Sequence, residues 1–204
     1  MTVSLSIAGV ADHLGVPLAT VEEYAANGWM PLPDTHVEGG GVTIDGWFPD
    51  TVERWHSYWP TEYLSLAALA EHLEIPHKTL ATYLENRKFA APDARIGRIQ
   101  GWLPATGEAW KARRPGSGSR SAGAWWDLGN ETVVYLSTPQ VAERIGVHRG
   151  AMNHYKTNIP DARIGRVFGS LPQTVDDWQE RRPGKRTPRD SEDWNLPPAL
   201  QRIA

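Results

Sequence analysis

The sequence predicts a mainly α-helical protein with short β-hairpins, built from three tandem copies of one small unit. Three observations carry this. The heptapeptide PDARIGR occurs twice letter for letter, at Pro92–Arg98 and Pro160–Arg166, and chance does not repeat seven residues in a chain of 204. Each copy is followed by a Leu-Pro step (Leu103-Pro104, Leu171-Pro172), a Thr and a Trp (Thr106 and Trp110, Thr174 and Trp178), then Arg-Arg-Pro-Gly at Arg113–Gly116 and Arg181–Gly184. A Leu-Ser pair opens three segments with the apolar spacing of a helix, at Leu5-Ser6, Leu64-Ser65 and Leu136-Ser137.

Taken in order, each unit starts with that serine, an N-cap for the helix behind it. The apolar positions are Ile7, Val10, Ala11 and Leu14 in the first copy, Leu66, Leu69, Ala70 and Leu73 in the second, and Val141, Ala142 and Ile145 in the third. Gln140 predicts a capping box with Ser137. A turn follows, at Gly15-Val16-Pro17, Glu74-Ile75-Pro76 or Gly146-Val147-His148, and then a second helix with Val21 and Tyr24, Leu80 and Tyr83, or Met152 and Tyr155 inward. Two helices of about eight or nine residues joined this tightly form a helix-turn-helix. Asn27, Asn86 and Asn158 end the second helix and are expected as C-caps in the left-handed region. Arg-Ile-Gly-Arg with a glycine just beyond reads as a short hairpin, or wing, with arginines at its tip. A closing helix ends at Trp55, Trp110 or Trp178, expected as core anchors, while Trp102 is expected to pack against the wing.

The chain has no cysteine, which excludes disulfides and thiolate chemistry. With no basic, apolar leader at its start it is expected to be cytoplasmic. The net charge of −3 hides an asymmetry. Residues 1–60 hold eight acids against one base, Arg54, for a net of −7. Residues 61–116 hold six acids and eight bases, +2, and residues 131–184 six and seven, +1. Residues 117–130 read as a Gly/Ser linker interrupted by Trp125-Trp126, expected to dock on a neighbouring domain. The tail, 185–204, is expected to be disordered or to dock through Trp194 and Leu200.

The order Leu-Ser, Ala70-Glu71, apolar-Pro turn, Thr79 to Tyr83, Arg-Ile-Gly-Arg and Pro-x-Thr-x-x-x-Trp resembles the MerR-like, excisionase-type winged helix-turn-helix family. The resemblance is good over 61–116 and 131–184 and holds in outline over 1–60, where the hairpin Val37–Asp45 has lost both arginines. In the third copy only four residues separate Tyr155 from Pro160, against eight in the others. The resemblance implies three tandem winged helix-turn-helix domains and double-stranded DNA as the partner. The second helix would enter the major groove and the wing arginines the minor groove or the phosphates. No cofactor or metal is implied.

The residues left outward on the second helix include His77, Lys78, Thr79 and Thr82 in the second copy and Arg149, Asn153 and His154 in the third, donors that suit base edges. Arg95, Arg98, Arg163 and Arg166 are the wing candidates. Arg113, Arg114, Arg181 and Arg182 sit at the end of the closing helix, where they favour the dipole and could also meet phosphate. The first copy offers Leu18, Glu22 and Glu23 instead, which phosphates would repel, so 1–60 is expected to serve protein contact or dimerisation. No catalytic constellation occurs: Glu22-Glu23 and Asp176-Asp177 are adjacent pairs that diverge on a helix, and His72 and His77 lack a third ligand. An enzyme is not expected. The expected function is sequence-specific DNA binding, as a transcription regulator, a recombination or excision factor, or a plasmid-partition protein. The rival is a protein-interaction or DNA-mimic module using the acidic first domain. Tandem domains carry no two-fold axis between them, so direct-repeat sub-sites are expected.

Overall fold

The structure, a computed structural model, describes residues 4–39, 42–115, 123–154, 157–182 and 193–201, with backbone alone at 37–39, 42, 43, 153 and 154. Among these it is a mixed α/β fold of eight short helices and eight short strands gathered into three small sheets. The first repeat runs α1 (Ile7–Leu14), α2 (Leu18–Ala26), β1 (Thr35–Gly39), β2 (Val42–Gly46) and α3 (Pro49–His56). The second adds a leading strand: β3 (Thr61–Tyr63), α4 (Leu66–His72), α5 (His77–Glu85), β4 (Ala94–Ile96), β5 (Ile99–Gly101) and α6 (Pro104–Arg113). The third runs β6 (Val133–Tyr135), α7 (Thr138–Arg144), a 3₁₀ turn (Arg149–His154), β7 (Ala162–Ile164), β8 (Val167–Gly169) and α8 (Pro172–Arg181).

The caps follow the sequence. Ser6 Oγ accepts the Gly9 N–H at 3.2 Å, Ser65 Oγ that of Ala68 at 3.3 Å, and Gln140 Oε1 accepts the Ser137 N–H at 3.0 Å. At the second helix the expectation fails in detail. Asn27 and Asn86 are C-caps, but with φ of −80° and −78°, and the left-handed residue is the next one, Gly28 (φ 70°) or Arg87 (φ 54°). The closing bonds demand this: Trp29 N–H returns to Tyr24 O at 2.9 Å and Lys88 N–H to Tyr83 O at 2.8 Å, so the chain reverses one residue later than expected. The third repeat has a six-residue 3₁₀ turn where a helix of eight or nine residues is expected. That segment carries Gly150, Asn153 and His154, weak helix formers, and its connection to Pro160 is four residues short.

The aspartate of the repeated motif is a splint. Asp93 Oδ2 accepts the Leu103 N–H at 2.8 Å, Asp161 Oδ2 the Leu171 N–H at 2.7 Å, and Asp34 Oδ2 the Phe48 N–H at 2.8 Å, tying each hairpin's start to the head of the closing helix. The shared histidine position on the first helix is an ion-pair position. His13 meets Glu53 at 3.3 Å, His72 meets Glu108 at 2.9 Å, and Arg144 stands there in the third repeat, 2.6 Å from Asp176. Arg144 holds the Asp176 carboxyl below its ordinary value.

The chain divides into two compact units, Met1–Trp59 with Ala142–Ile159 and Gln173–Ala204, and Pro60–Val141 with Pro160–Pro172. In the first, Trp29 Nε1 donates to Thr157 Oγ1 at 3.4 Å and Asn195 Nδ2 to Gly28 O at 2.6 Å and Thr157 O at 3.2 Å, so the loop after α2 and the segment after the 3₁₀ turn share one framework. The tail docks there: Trp194 stacks on the buried Trp178 at 5.8 Å, and Leu196 and Leu200 are buried.

The second unit holds two three-stranded sheets formed by exchange. The leading strand of the second repeat, β3, pairs in parallel with β7, and the leading strand of the third, β6, pairs in parallel with β4. The registers match: Thr61 opposite Ala162 and Tyr63 opposite Ile164 in one sheet, Val133 opposite Ala94 and Tyr135 opposite Ile96 in the other. Reciprocal contacts of this kind define a local two-fold relation. Tyr63, Ala94, Ile96, Tyr135, Ala162 and Ile164 form the core between the hairpins. Glycine is required at its edges: a Cβ on Gly101 would lie 2.7 Å from Tyr63 Cβ, and one on Gly169 2.8 Å from Tyr135 Cβ. Trp125 and Trp126 pack on the other core of this unit, around Leu69, Leu80, Trp102 and Trp110.

At the centre of the exchange the Tyr63 and Tyr135 hydroxyls share a hydrogen bond of 3.1 Å. Burial, then the bond to Tyr63, push the Tyr135 phenol well above its ordinary value of 10.0. The folded chain keeps this phenol neutral while the unfolded chain lets it ionise, so its contribution is present below about pH 10 and falls as pH rises beyond. Replacing Tyr135 by Phe strands the Tyr63 hydroxyl and should cost about 1–2 kcal/mol near neutrality. The gap in urea midpoint between parent and Tyr135→Phe should narrow above pH 10; a gap constant up to pH 11 would contradict this account.

Candidate nucleic-acid interface

The second unit brings the second-repeat candidates together on one frame. His77 and Lys78 are exposed at the head of α5, Thr82 is exposed a turn later with its Oγ1 bonded to Lys78 O at 2.9 Å, and Thr79 is half-buried. Leu80 faces the core. Arg95 and Arg98 are exposed, Arg95 on the outer face of β4 and Arg98 at the hairpin tip beside Gly97, whose φ of 59° makes the turn. Sequence reasoning missed Arg87 and Lys88, both exposed directly after α5. The signal was a basic pair following the helix-ending asparagine.

The two hairpins share PDARIGR and differ on the returning strand, Ile99-Gln100 against Val167-Phe168, and they treat their arginines differently. Arg163 lies 5.1 Å from the Phe168 ring, donates through Nε to Gly165 O at 2.9 Å and sits 3.8 Å from Glu62, with its side chain only 20% exposed. Arg95 occupies the same place in the other hairpin, but opposite it stand Gln100 and Val134 instead of Phe168 and Glu62. Arg163 is thus held by its own unit and Arg95 is exposed. Arg166, at the second tip, is exposed as well.

The arginines that end the closing helices are largely used within the protein. Arg114 donates to the Tyr83 hydroxyl at 3.1 Å and covers its ring at 4.9 Å, and Arg113 bonds Asp127 O at 3.2 Å. Arg181 bonds Asp177 O at 3.0 Å and Leu196 O at 2.5 Å, and burial pulls its guanidinium below the usual arginine value. Arg182 is half-buried. In the first unit Arg149 is exposed on the 3₁₀ turn; the side chains of Asn153 and His154, like Tyr155, lie outside the described residues.

The tryptophans expected as core anchors are core. Trp55, Trp110 and Trp178 are fully buried, and the first two donate to carbonyls of the loop after the second helix, Trp55 to Trp29 O at 2.7 Å and Trp110 to Lys88 O at 3.0 Å. Trp102 is buried and bonded to Ala90 O at 3.1 Å in that same loop. The third repeat lacks four residues there. Trp178 Nε1 accordingly has no partner among the described residues, and Ser170 replaces the tryptophan that would need the second acceptor.

Among the described residues no group of three His, Asp or Glu is placed to hold a metal, and no helix is long and apolar enough to cross a membrane. No family model matches the chain, and neither does any curated protein or solved structure. The asymmetry of the arginines gives a test of its own. Arg163→Ala should cost about 1 kcal/mol through the lost ring contact and hydrogen bond, whereas Arg95→Ala should stay within about 0.5 kcal/mol of the parent. Equal urea midpoints for the two variants would contradict the placement of Arg163.

Proposed function

We propose that the chain is a sequence-specific double-stranded DNA-binding protein of winged helix-turn-helix type, in three tandem copies. α5 lies in the major groove and the outer hairpin arginines meet the adjacent phosphates or minor groove. One observation carries this reading. The same helix–hairpin frame presents opposite surfaces in its first two copies. At the head of α2 the outward residues are Leu18 (43% exposed) and the exposed Glu22, and at the head of α5 they are His77, Lys78 and Thr82. The core is retained in both, so the difference lies in what each surface meets. An acidic helix suits a protein partner, and residues 1–60 are assigned that role.

The hairpin exchange changes the expected target. Within the second unit a local two-fold relates the hairpin carrying Arg95 and Arg98 to the one carrying Arg163 and Arg166, so the hairpin contacts should form an inverted repeat, in place of the direct repeat that tandem copies suggest. The job fits a regulator of transcription, an excision or recombination factor, or a partition protein, all of which use such contacts.

Selection of bound sites from random duplexes with the full chain, followed by footprinting, tests the reading. The expected result is a protected inverted repeat. The double variant Arg95→Ala, Arg98→Ala should weaken binding and flatten the log–log salt dependence by about 0.9 for each lost phosphate contact. Flow-through on a heparin column together with no selected site would favour the acidic protein-interaction reading.

A further inference from the structure

Two of the described residues hold a left-handed backbone without being glycine, Glu74 (φ 55°) and Arg87 (φ 54°). Both lie in the second repeat, at helix ends where the first repeat uses Gly15 (φ 66°) and Gly28 (φ 70°). The hydrogen bonds that close these ends are the same with or without a side chain. Arg87 N–H donates to Leu84 O at 3.0 Å, as Gly28 N–H donates to Ala25 O at 2.9 Å. Local geometry therefore asks for glycine at position 87, and an L side chain is strained there. The strained residue carries an exposed guanidinium beside a second exposed cation, Lys88. The turn that carries them is pinned to the core, because Lys88 O accepts the buried Trp110 Nε1–H at 3.0 Å.

The position relative to α5 supplies a target. Nine residues of helix measure about 13 Å, and the major groove is ~12 Å wide. A helix crossing the groove therefore brings His77 and Lys78 to one phosphate wall and Arg87 and Lys88 to the other. We propose that Arg87, with Lys88 beside it, is a phosphate contact that clamps the DNA strand at the far end of α5. This rests on the DNA-binding reading of α5. Glu74, equally strained and exposed before α5, carries no cation and serves as the control.

The experiment compares Arg87→Gly, Arg87→Lys and Glu74→Gly with the parent in the full chain. It measures thermal melting and fluorescence anisotropy across a salt series, on the duplex selected by the parent. Relief of strain should raise Tm by about 2–4 °C in both glycine variants. Only Arg87→Gly should lose affinity, several-fold, with the log–log salt slope reduced by about 0.9. Arg87→Lys should keep the parental slope. A loss of both Tm and affinity in Arg87→Gly would make the residue structural, and a slope equal to the parent's would remove the contact. A parent that selects and binds no duplex would overturn the DNA reading itself, and the contact with it.

Discussion

The second unit depends on one exchange: each repeat gives its leading strand to the other's hairpin. Neither hairpin could be stable as an isolated pair of three-residue strands, since two-stranded ribbons of that length are marginal in water. Pairing β3 with β7 and β6 with β4 makes two three-stranded sheets, and the residues that face each other across them bury a shared core. The close approach sets the residue types. Ala94 and Ala162 are small because a sheet lies against them, and Gly101 and Gly169 have no side chain because Tyr63 and Tyr135 occupy that space. The Tyr63–Tyr135 hydrogen bond satisfies the only polar atoms that this core's side chains carry inward.

This gives the repeated heptapeptide a structural meaning. Proline stands two residues ahead of the strand, aspartate splints it to the closing helix, alanine and isoleucine fill the shared core, and glycine makes the turn. Identity at those positions follows from a two-fold relation, because both hairpins meet the same surroundings. Among the described residues the first hairpin pairs with no third strand and sits in a two-stranded sheet of its own, and there the sequence has Thr35 and Val37 in place of alanine and isoleucine.

The helices, their serine caps, the hairpins and the closing tryptophans were legible because each rests on local chemistry: capping, 3.6-residue spacing, a positive-φ glycine. What was not legible rests on contacts distant in sequence. The motif showed that Arg95 and Arg163 would point outward, but the Phe168 ring and the Glu62 carboxylate that hold one of them belong to other strands. The tryptophans of the linker and the tail dock as expected, and they do so alike: Trp125 lies 5.8 Å from Trp110, and Trp194 lies 5.8 Å from Trp178.

The exchanged strands also set an order of events during synthesis. Thr61 pairs with Ala162, about a hundred residues later in the chain, whereas Ala94 pairs with Val133, about forty later. The sheet built on β4 can close first, and β3 must wait for the second hairpin to leave the ribosome, a delay of roughly 5–20 seconds at ordinary elongation rates. During that interval the β3 strand is an unpaired edge with a tyrosine to bury, and an identical strand on a neighbouring nascent chain waits in the same condition. Polysomes crowd such chains together. A fold that trades strands within one chain is thereby one step from trading them between two.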